Sequence, residues 1–254
     1  MRAVVTTPRS GGQLLAELMS AVRTDNEDVR RPPRPARDGA PRLLRGRKLP
    51  APVRVRAGHP AEPASLGLDE VLERRRSERF FTGEGVDLEV LTEALASAVD
   101  ADADLWPAPE EWATRPLLVV AALRVRGLSP GIYRFDAPTS TYALLAEVDR
   151  DAVAQMVLQV EYADAPVIVA AVGSPADAVH SRGDHGLRLL HLRAGSACYA
   201  ALLAASRRGL TGSVFAGFLP SGLRHHVVAD GYHLSQVFAV ALGRVAAYPE
   251  TPPV

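Results

Sequence analysis

The run Pro166-Val167-Ile168-Val169-Ala170-Ala171-Val172 offers no polar side chain on either side of an extended backbone. A β-branched segment of this kind is stable as a strand only when both of its faces are covered, so the chain must build a sheet with a layer packed on each side. Other stretches fit such a sheet. Leu117 to Val125 is apolar, Gly127-Leu128-Ser129-Pro130-Gly131 supplies turn residues, and Ile132 to Phe135 continues as the second arm of a hairpin. Thr141 to Leu145 and Gln236 to Leu242 read as further strands. Helical spacing is interspersed with these. Asp69 is the expected N-cap of a helix through Val71, Leu72 and Arg75, Asp87 of one through Leu88, Leu91, Leu95 and Val99, and Asp149 of one through Val153, Met156 and Val157. The longest pattern, Leu187 to Ser206, aligns Leu187, Leu190, Ala194, Cys198, Ala201, Leu202 and Ala205 on one side and ends at Arg207-Arg208-Gly209. Its Ala194-Gly195-Ser196-Ala197 segment has little bulk, so another backbone can approach closely. No internal repeat is evident, and the alternation of elements predicts an α+β layer fold.

Charge is distributed unevenly. The 254 residues balance 29 basic against 29 acidic side chains, yet residues 30 to 60 hold nine arginines and Lys48 against Asp38 alone. Together with a dense set of prolines this predicts a basic, extended arm over residues 1–63, carrying one short helix capped by Ser10 through Leu14, Leu18 and Val22, ahead of a domain over 64–254. The arm is either a solvated leader or a contact for an acidic partner; it has no aromatic residue to stack on bases, which argues against nucleic acid. Cys198 is the sole cysteine, which excludes an intrachain disulfide and multi-thiolate metal sites. The seven histidines show no ligand spacing backed by carboxylates, so no metal is expected. Lys48 is the sole lysine, so a Schiff-base lysine in the main domain is impossible. No apolar run reaches membrane-spanning length and the first residues lack a signal-peptide core, which reads as a cytoplasmic protein.

The densest chemical signal is Arg74-Arg75-Arg76-Ser77-Glu78-Arg79-Phe80-Phe81. Guanidinium forks pair bidentately with phosphate and a serine hydroxyl adds one short hydrogen bond, so the segment suits an anion with several oxygens. The bland alternative is a basic last helical turn complementing the helix dipole.

Arg75-x-Ser77-x-Arg79-x-Phe81 resembles the opening motif of the FMN-dependent nitroreductase superfamily, and the chain looks most like its SagB-type dehydrogenases. Arg126 to Asp136 resembles the family's hairpin signature, Gly183 to Leu190 the lead into its long helix, Ala216-Gly217-Phe218 its flavin-proximal turn, and Ala241-Leu242-Gly243-Arg244 its C-terminal strand end. The resemblance implies a nitroreductase-like α+β fold, with a central, mostly antiparallel sheet flanked by helices in a domain-swapped homodimer, and FMN in the subunit interface. It assigns Arg75, Arg76, Ser77, Arg79, Ala216, Gly217 and Arg244 to the cofactor, with Arg244 on its phosphate. The implied reaction is the oxidation of thiazoline or oxazoline rings in a ribosomally made peptide, in company with other peptide-modifying enzymes and with oxygen reoxidising the flavin. Two alternatives stand beside it: reduction of a nitro, quinone or enone compound by a nicotinamide cofactor, and a degenerate scaffold or partner subunit.

The departures matter too. Pro107-Ala108-Pro109-Glu110-Glu111-Trp112 replaces a Pro-Ser-x-Gly segment, and Ser181-Arg182 stand where azoline-oxidising members carry a Lys-Tyr pair. Neither residue is an obvious base at neutral pH. His185, His191, Tyr199 and the His225-His226 pair are the candidates to take its place, each also open to a purely structural role. Trp106 and Trp112 are expected in packing or at a substrate mouth.

Overall fold

Six antiparallel pairings join the strands of one seven-stranded sheet. In the computed structural model, which describes residues 44–49, 53–60, 66–107 and 109–245, these are β1 (Arg54–Arg56), β3 (Leu117–Ala122), β5 (Gly131–Asp136), β6 (Thr141–Glu147), β7 (Val167–Gly173), β8 (Thr211–Phe215) and β9 (Ser235–Gly243). Their spatial order is β1-β6-β5-β3-β7-β9-β8. A two-stranded parallel ribbon pairs β2 (Val86–Asp87) with β4 (Val125–Arg126). The helices are α1 (Leu68–Arg74), α2 (Leu88–Leu105), α3 (Arg150–Ala154), α4 (Pro175–Arg207) and α5 (Pro220–Arg224). Residues Pro109–Thr114 form a 3-10 helix.

As its composition demands, β7 is buried along its whole length between β3 and β9. Period-two alternation sorts its side chains. Val167, Val169 and Ala171 meet α2 and α4 through Leu91, Leu95, Ala194, Cys198, Ala201 and Leu202. Ile168, Ala170 and Val172 face the opposite layer, where Met156, Tyr162, Phe215, Phe218, Leu223 and Val227 are buried. The sheet therefore separates two cores. The small residues of α4 bring that helix close to the sheet, and α4 spans it from the Gly173 end to Gly209, whose φ of 74° closes the helix in the left-handed conformation favoured by glycine.

Several expectations are corrected. Gly67 occupies the N-cap of α1, so Asp69 falls inside the first turn, where its carboxylate favours the helix dipole without capping it. Asp87 does occupy the N-cap of α2 but caps nothing with its side chain, because its carboxylate accepts from Arg126 Nε across the β2–β4 ribbon. Asp149 caps α3 as expected, accepting from Ala152 N at 2.8 Å, but that helix stops at Ala154 before Met156 and Val157. The long helix begins at Pro175 rather than Leu187, with Ser174 as its N-cap, and breaks at Arg182 and Gly183. Gly183 has a φ of 60°, so the break sits where a residue without Cβ tolerates it. Strand β8 carries no alternation strong enough to be foreseen. Within the basic segment, Arg54–Arg56 forms an edge strand on β6, and Leu44 is fully buried. The short helix expected after Ser10 lies outside the described residues.

A buried ion pair fastens α2 to α4. Arg193, fully buried, donates from Nε to Asp102 Oδ1 at 2.8 Å and from Nη2 to Oδ2 at 2.6 Å, while Nη1 reaches Thr114 Oγ1 at 2.8 Å. The Trp106 ring lies over the guanidinium, 5.3 Å from its carbon to the ring centroid. Removing one partner strands a buried charge, whereas replacing both with apolar side chains removes the charge altogether. Asp102→Ala is therefore expected to cost about 3–5 kcal/mol in urea unfolding, with the double variant R193M/D102L losing much less. Equal losses in the two variants would contradict the assignment of the cost to an unpaired charge.

Candidate functional site

The arginine-rich segment leaves α1 at its C-terminus and crosses the ends of β8 and β9. Arg74 is spent on Glu70 at 2.8 Å, one helical turn back. Beyond Arg75 the chain is extended: Ser77 bridges Gly212 in parallel, Glu78 N donates to Gly212 O at 3.1 Å, Phe81 bridges Val245, and Thr82 N donates to Arg244 O at 2.9 Å. Two glycines permit this seam. A Cβ on Gly212 would lie 1.8 Å from Ala241 O, and one on Gly243 would lie 2.8 Å from Phe81 Cδ1 and 2.6 Å from Pro166 Cδ. Sequence-distant Ser77 and Arg244 are thereby brought to one end of β8.

The guanidinium groups at that end differ in their commitments. Arg76 folds back on its own chain, with Nη1 donating to Arg75 O at 3.0 Å and Glu73 O at 3.3 Å. Arg75, half-buried, and Arg79, exposed, make no side-chain hydrogen bond or ion pair with another described residue. Arg244 Nε meets Glu84 Oε2 at 3.1 Å, but both side chains are more than half exposed, so the pair is weak and open to exchange. The Arg244 guanidinium also lies near Gly209, where α4 ends. This donor set of guanidinium forks beside a serine hydroxyl matches a phosphate monoester.

The Ala216-Gly217 turn stands at the other end of β8. Five strand residues at about 3.3 Å each separate it from the cationic end by roughly 17 Å, the reach of an extended mononucleotide. Ala216 is exposed and Gly217 half-buried, with Gly217 O accepting from Leu158 N at 2.7 Å. Stacking of Tyr162 on Phe215, centroids 4.2 Å apart, and a hydrogen bond from Gln236 Nε2 to Phe218 O hold the turn from below. β8 is also the outermost strand of the sheet, and among the described residues the bridge on its free edge is the one from Ser77 to Gly212.

The candidate bases do not join the arginines. His185 is half-buried just after the break in α4; His191 is exposed, its Nδ1 at 2.9 Å from Leu187 O. His191 stands sixteen residues before Arg207 along α4, about 24 Å. Tyr199 shares an outward face with Leu192, 60% exposed, and with Gly195, where an added Cβ would meet nothing within 4 Å. Ser181 is buried at the break. His225 and His226 follow α5 beside Lys48 and Glu147, bordering a hollow of about 290 Å³. Burial, reinforced by the charges of His225 and Lys48, lowers the His226 imidazole below its ordinary range. Trp106 packs against Arg193, while Trp112 lines a cavity of about 160 Å³ with Arg115, Gly173, Ser174, Asp177 and Leu234. No group of metal ligands occurs among the described residues. The Arg193–Asp102–Thr114 network escaped sequence reasoning; its one trace is a charge at position 193 between the apolar positions 190, 194 and 197.

Comparison with known proteins places this geometry. The model of the nitroreductase family matches residues 72–244. Among solved structures, a chain described as a nitroreductase from Anabaena variabilis superposes with a TM-score of 0.69 at 18% identity, over 95% of this chain and 49% of that one, so this chain spans about half its length. A second from Ralstonia eutropha gives 0.60 at 20% identity, covering 86% of this chain and 100% of the other. A chain of the Escherichia coli microcin synthetase McbBCD complex, with truncated pro-MccB17 bound, gives 0.55 at 14% identity, over 74% and 77% respectively. No curated protein sequence matches. No described helix is long and apolar enough to cross a membrane.

Cys198 is no nucleophile for this site, because burial pushes its thiol up to about 12. The thiolate is the reactive form, so at pH 8 the folded protein is expected to resist iodoacetamide and to label only as it unfolds. Rapid labelling under native conditions would contradict the packing of α4 on the sheet.

Proposed function

This chain belongs to the nitroreductase family, and from that premise we propose that it holds flavin mononucleotide along β8 and works as a SagB-like dehydrogenase of thiazoline or oxazoline rings in a ribosomally made peptide. One observation carries the reading: the extended segment that bears Ser77 and Arg79 runs past Gly212 to Arg244 at one end of β8, while the Ala216-Gly217 turn stands a mononucleotide's length away. Arg75, Arg79 and Arg244 would hold the phosphate, with Ser77 adding a hydroxyl donor. The backbone at Ala216 and Gly217 would meet the ring, where the small side chain and the glycine leave room for close approach. A bound FMN would supply the two-electron acceptor, and the protein supplies position and electrostatics. The free edge of β8 and the outward face of α4 at Leu192, Gly195 and Tyr199 support a homodimer. A peptide substrate is in keeping with the fold shared with the microcin synthetase chain.

Dehydrogenating an azoline also releases a proton, which a side chain of this chain must take up. His185, His191 and Tyr199 are its candidates. One observation favours a second reading, the reduction of a nitro, quinone or enone compound by a nicotinamide cofactor. Ser181 is buried at 3% exposure and the neighbouring Arg182 carries a guanidinium, which has donors and no acceptor, so the positions aligned with the Lys-Tyr pair provide no base. A reductase of this kind needs an accessible flavin face and no dedicated base.

The purified protein is expected to be yellow and to release FMN on denaturation. Arg75→Ala, Arg79→Ala and Arg244→Ala should each weaken FMN binding by about 10- to 100-fold, as for hydrogen bonds to a charged group. Arg76→Ala should have a smaller effect, since that side chain is turned back on the backbone. Unchanged affinity in the first three variants removes the site assignment. Under anaerobic conditions, bleaching by an azoline peptide supports the dehydrogenase and predicts that one of H185Q, H191Q and Y199F slows that reaction. Bleaching by a nicotinamide cofactor without azoline turnover establishes the reductase instead.

A further inference from the structure

The described residues of the basic segment singled out by its composition lie apart from the residues assigned to the site along β8 and form a surface of their own. Residues 45–48 run antiparallel to 226–228: Gly46 bridges Val227, Val228 N donates to Arg45 O at 2.8 Å, and Arg47 N donates to His226 O at 2.9 Å. Arg47 Nε also donates to Arg224 O, tying the segment to α5. Fully buried Leu44 and Val227 anchor the two segments from beneath. At Gly46 an added Cβ would lie 1.8 Å from Leu145 O, so the segment is pressed against β6. The result is a fixed platform that presents Arg45, Arg47, Lys48 and Arg224, all exposed, to solvent.

We infer that this platform docks an extended acidic polypeptide segment in which carboxylate side chains alternate with apolar ones. None of the four cations forms an ion pair with a described carboxylate. The acid within the patch, Asp230, is already engaged by His233 Nδ1 at 2.7 Å and by the amides of Tyr232 and His233, which hold its carboxyl well below the usual range. Glu147 borders the hollow beside Lys48 without pairing with it. Clustered like charges of this kind attract an oppositely charged partner and speed its encounter.

The pattern selects a peptide among polyanions. Arg45 and Arg47 flank Gly46, the residue bridged to Val227, with exposed Val228 hydrogen-bonded to Arg45 O across the seam. Apolar groups are interleaved with the cations. Val228 and Tyr232 are 52% and 61% exposed, and a hollow of about 430 Å³ lies between Arg45, Arg47, Val228, His233 and Leu234. A nucleic acid would want a row of stacking aromatics and an unbroken run of cations, whereas this patch offers Tyr232 and contains Asp230 and Glu147. Leu234 lines both this hollow and the cavity beside Trp112 and Arg115, so the two hollows adjoin. The inference does not depend on flavin binding.

The test is fluorescence anisotropy of the full chain with a labelled peptide in which glutamate alternates with leucine. Binding is expected to weaken as salt rises, to be lost when glutamine replaces glutamate, and to fall about tenfold or more in the variant R45E/R47E/R224E. The variant R45E/K48E keeps the link from Arg47 to Arg224 and is expected to weaken binding in the same direction, which separates charge from folding. Circular dichroism and FMN retention are read on the same samples. Undiminished binding in the two variants, equal binding of the glutamine peptide, or tighter binding of an oligonucleotide or of phosphatidylserine vesicles would each overturn the inference.

Discussion

Val167 to Val172 has no side that water can wet, and the rest of the molecule is arranged around that constraint. The strand is covered by β3 and β9 at its edges and by a packed layer on each face. Burial of this kind is worth roughly 1.5–3 kcal/mol for each large apolar side chain, which makes the two-layered sheet the dominant stabilising feature. It also fixes direction. α4 lies across one face with its small residues inward, and so its two ends fall at the two ends of the sheet.

Those ends carry the candidate site residues. At one, the arginine-rich segment joins the sheet through main-chain contacts with Gly212 and Arg244, and Phe81 packs close against Gly243. At the other, the Trp112 cavity opens beside Gly173, Ser174 and Asp177 at the N-terminus of α4. The interior ion pair between Arg193 and Asp102 belongs to neither end. It holds α2, α4 and the end of the 3-10 segment together, and that segment carries Trp112 to the cavity. Charge is used in three different settings here: sealed inside with a bidentate partner, uncommitted among the described residues at half-buried Arg75 and exposed Arg79, and spread over the platform at Arg45 to Lys48.

Much of this was legible before any coordinates. The central strand, the hairpin from Leu117 to Phe135, strand β6 and the core stripe of the long helix all follow from periodicity, because each element has one or two faces that must be buried. The caps were harder, since Asp69, Asp87 and Asp149 are equivalent in type and differ only in what else is near: Asp87 finds Arg126 across a ribbon that sequence spacing does not reveal. β8 was missed for a related reason. Its residues Thr211 to Phe215 are short and mixed in polarity, and pairing with β9 is what makes them a strand.

The sequence by itself determined the layered α+β architecture, the identity of the arginine-rich and glycine-turn motifs, and the exclusion of an intrachain disulfide, of multi-thiolate metal sites and of a Schiff-base lysine in the main domain. These depend on residue type and local order alone. Tertiary structure decided which motifs meet. Ser77 and Arg244 stand side by side because an extended segment crosses a sheet edge. His191 and Tyr199 stay apart from them because α4 carries them up the outward side of a helix. Arg193 found its carboxylate ninety-one residues away, at the other end of a contact that only packing creates. Long-range pairing of this kind leaves no period in the chain, so folding is the step that writes it.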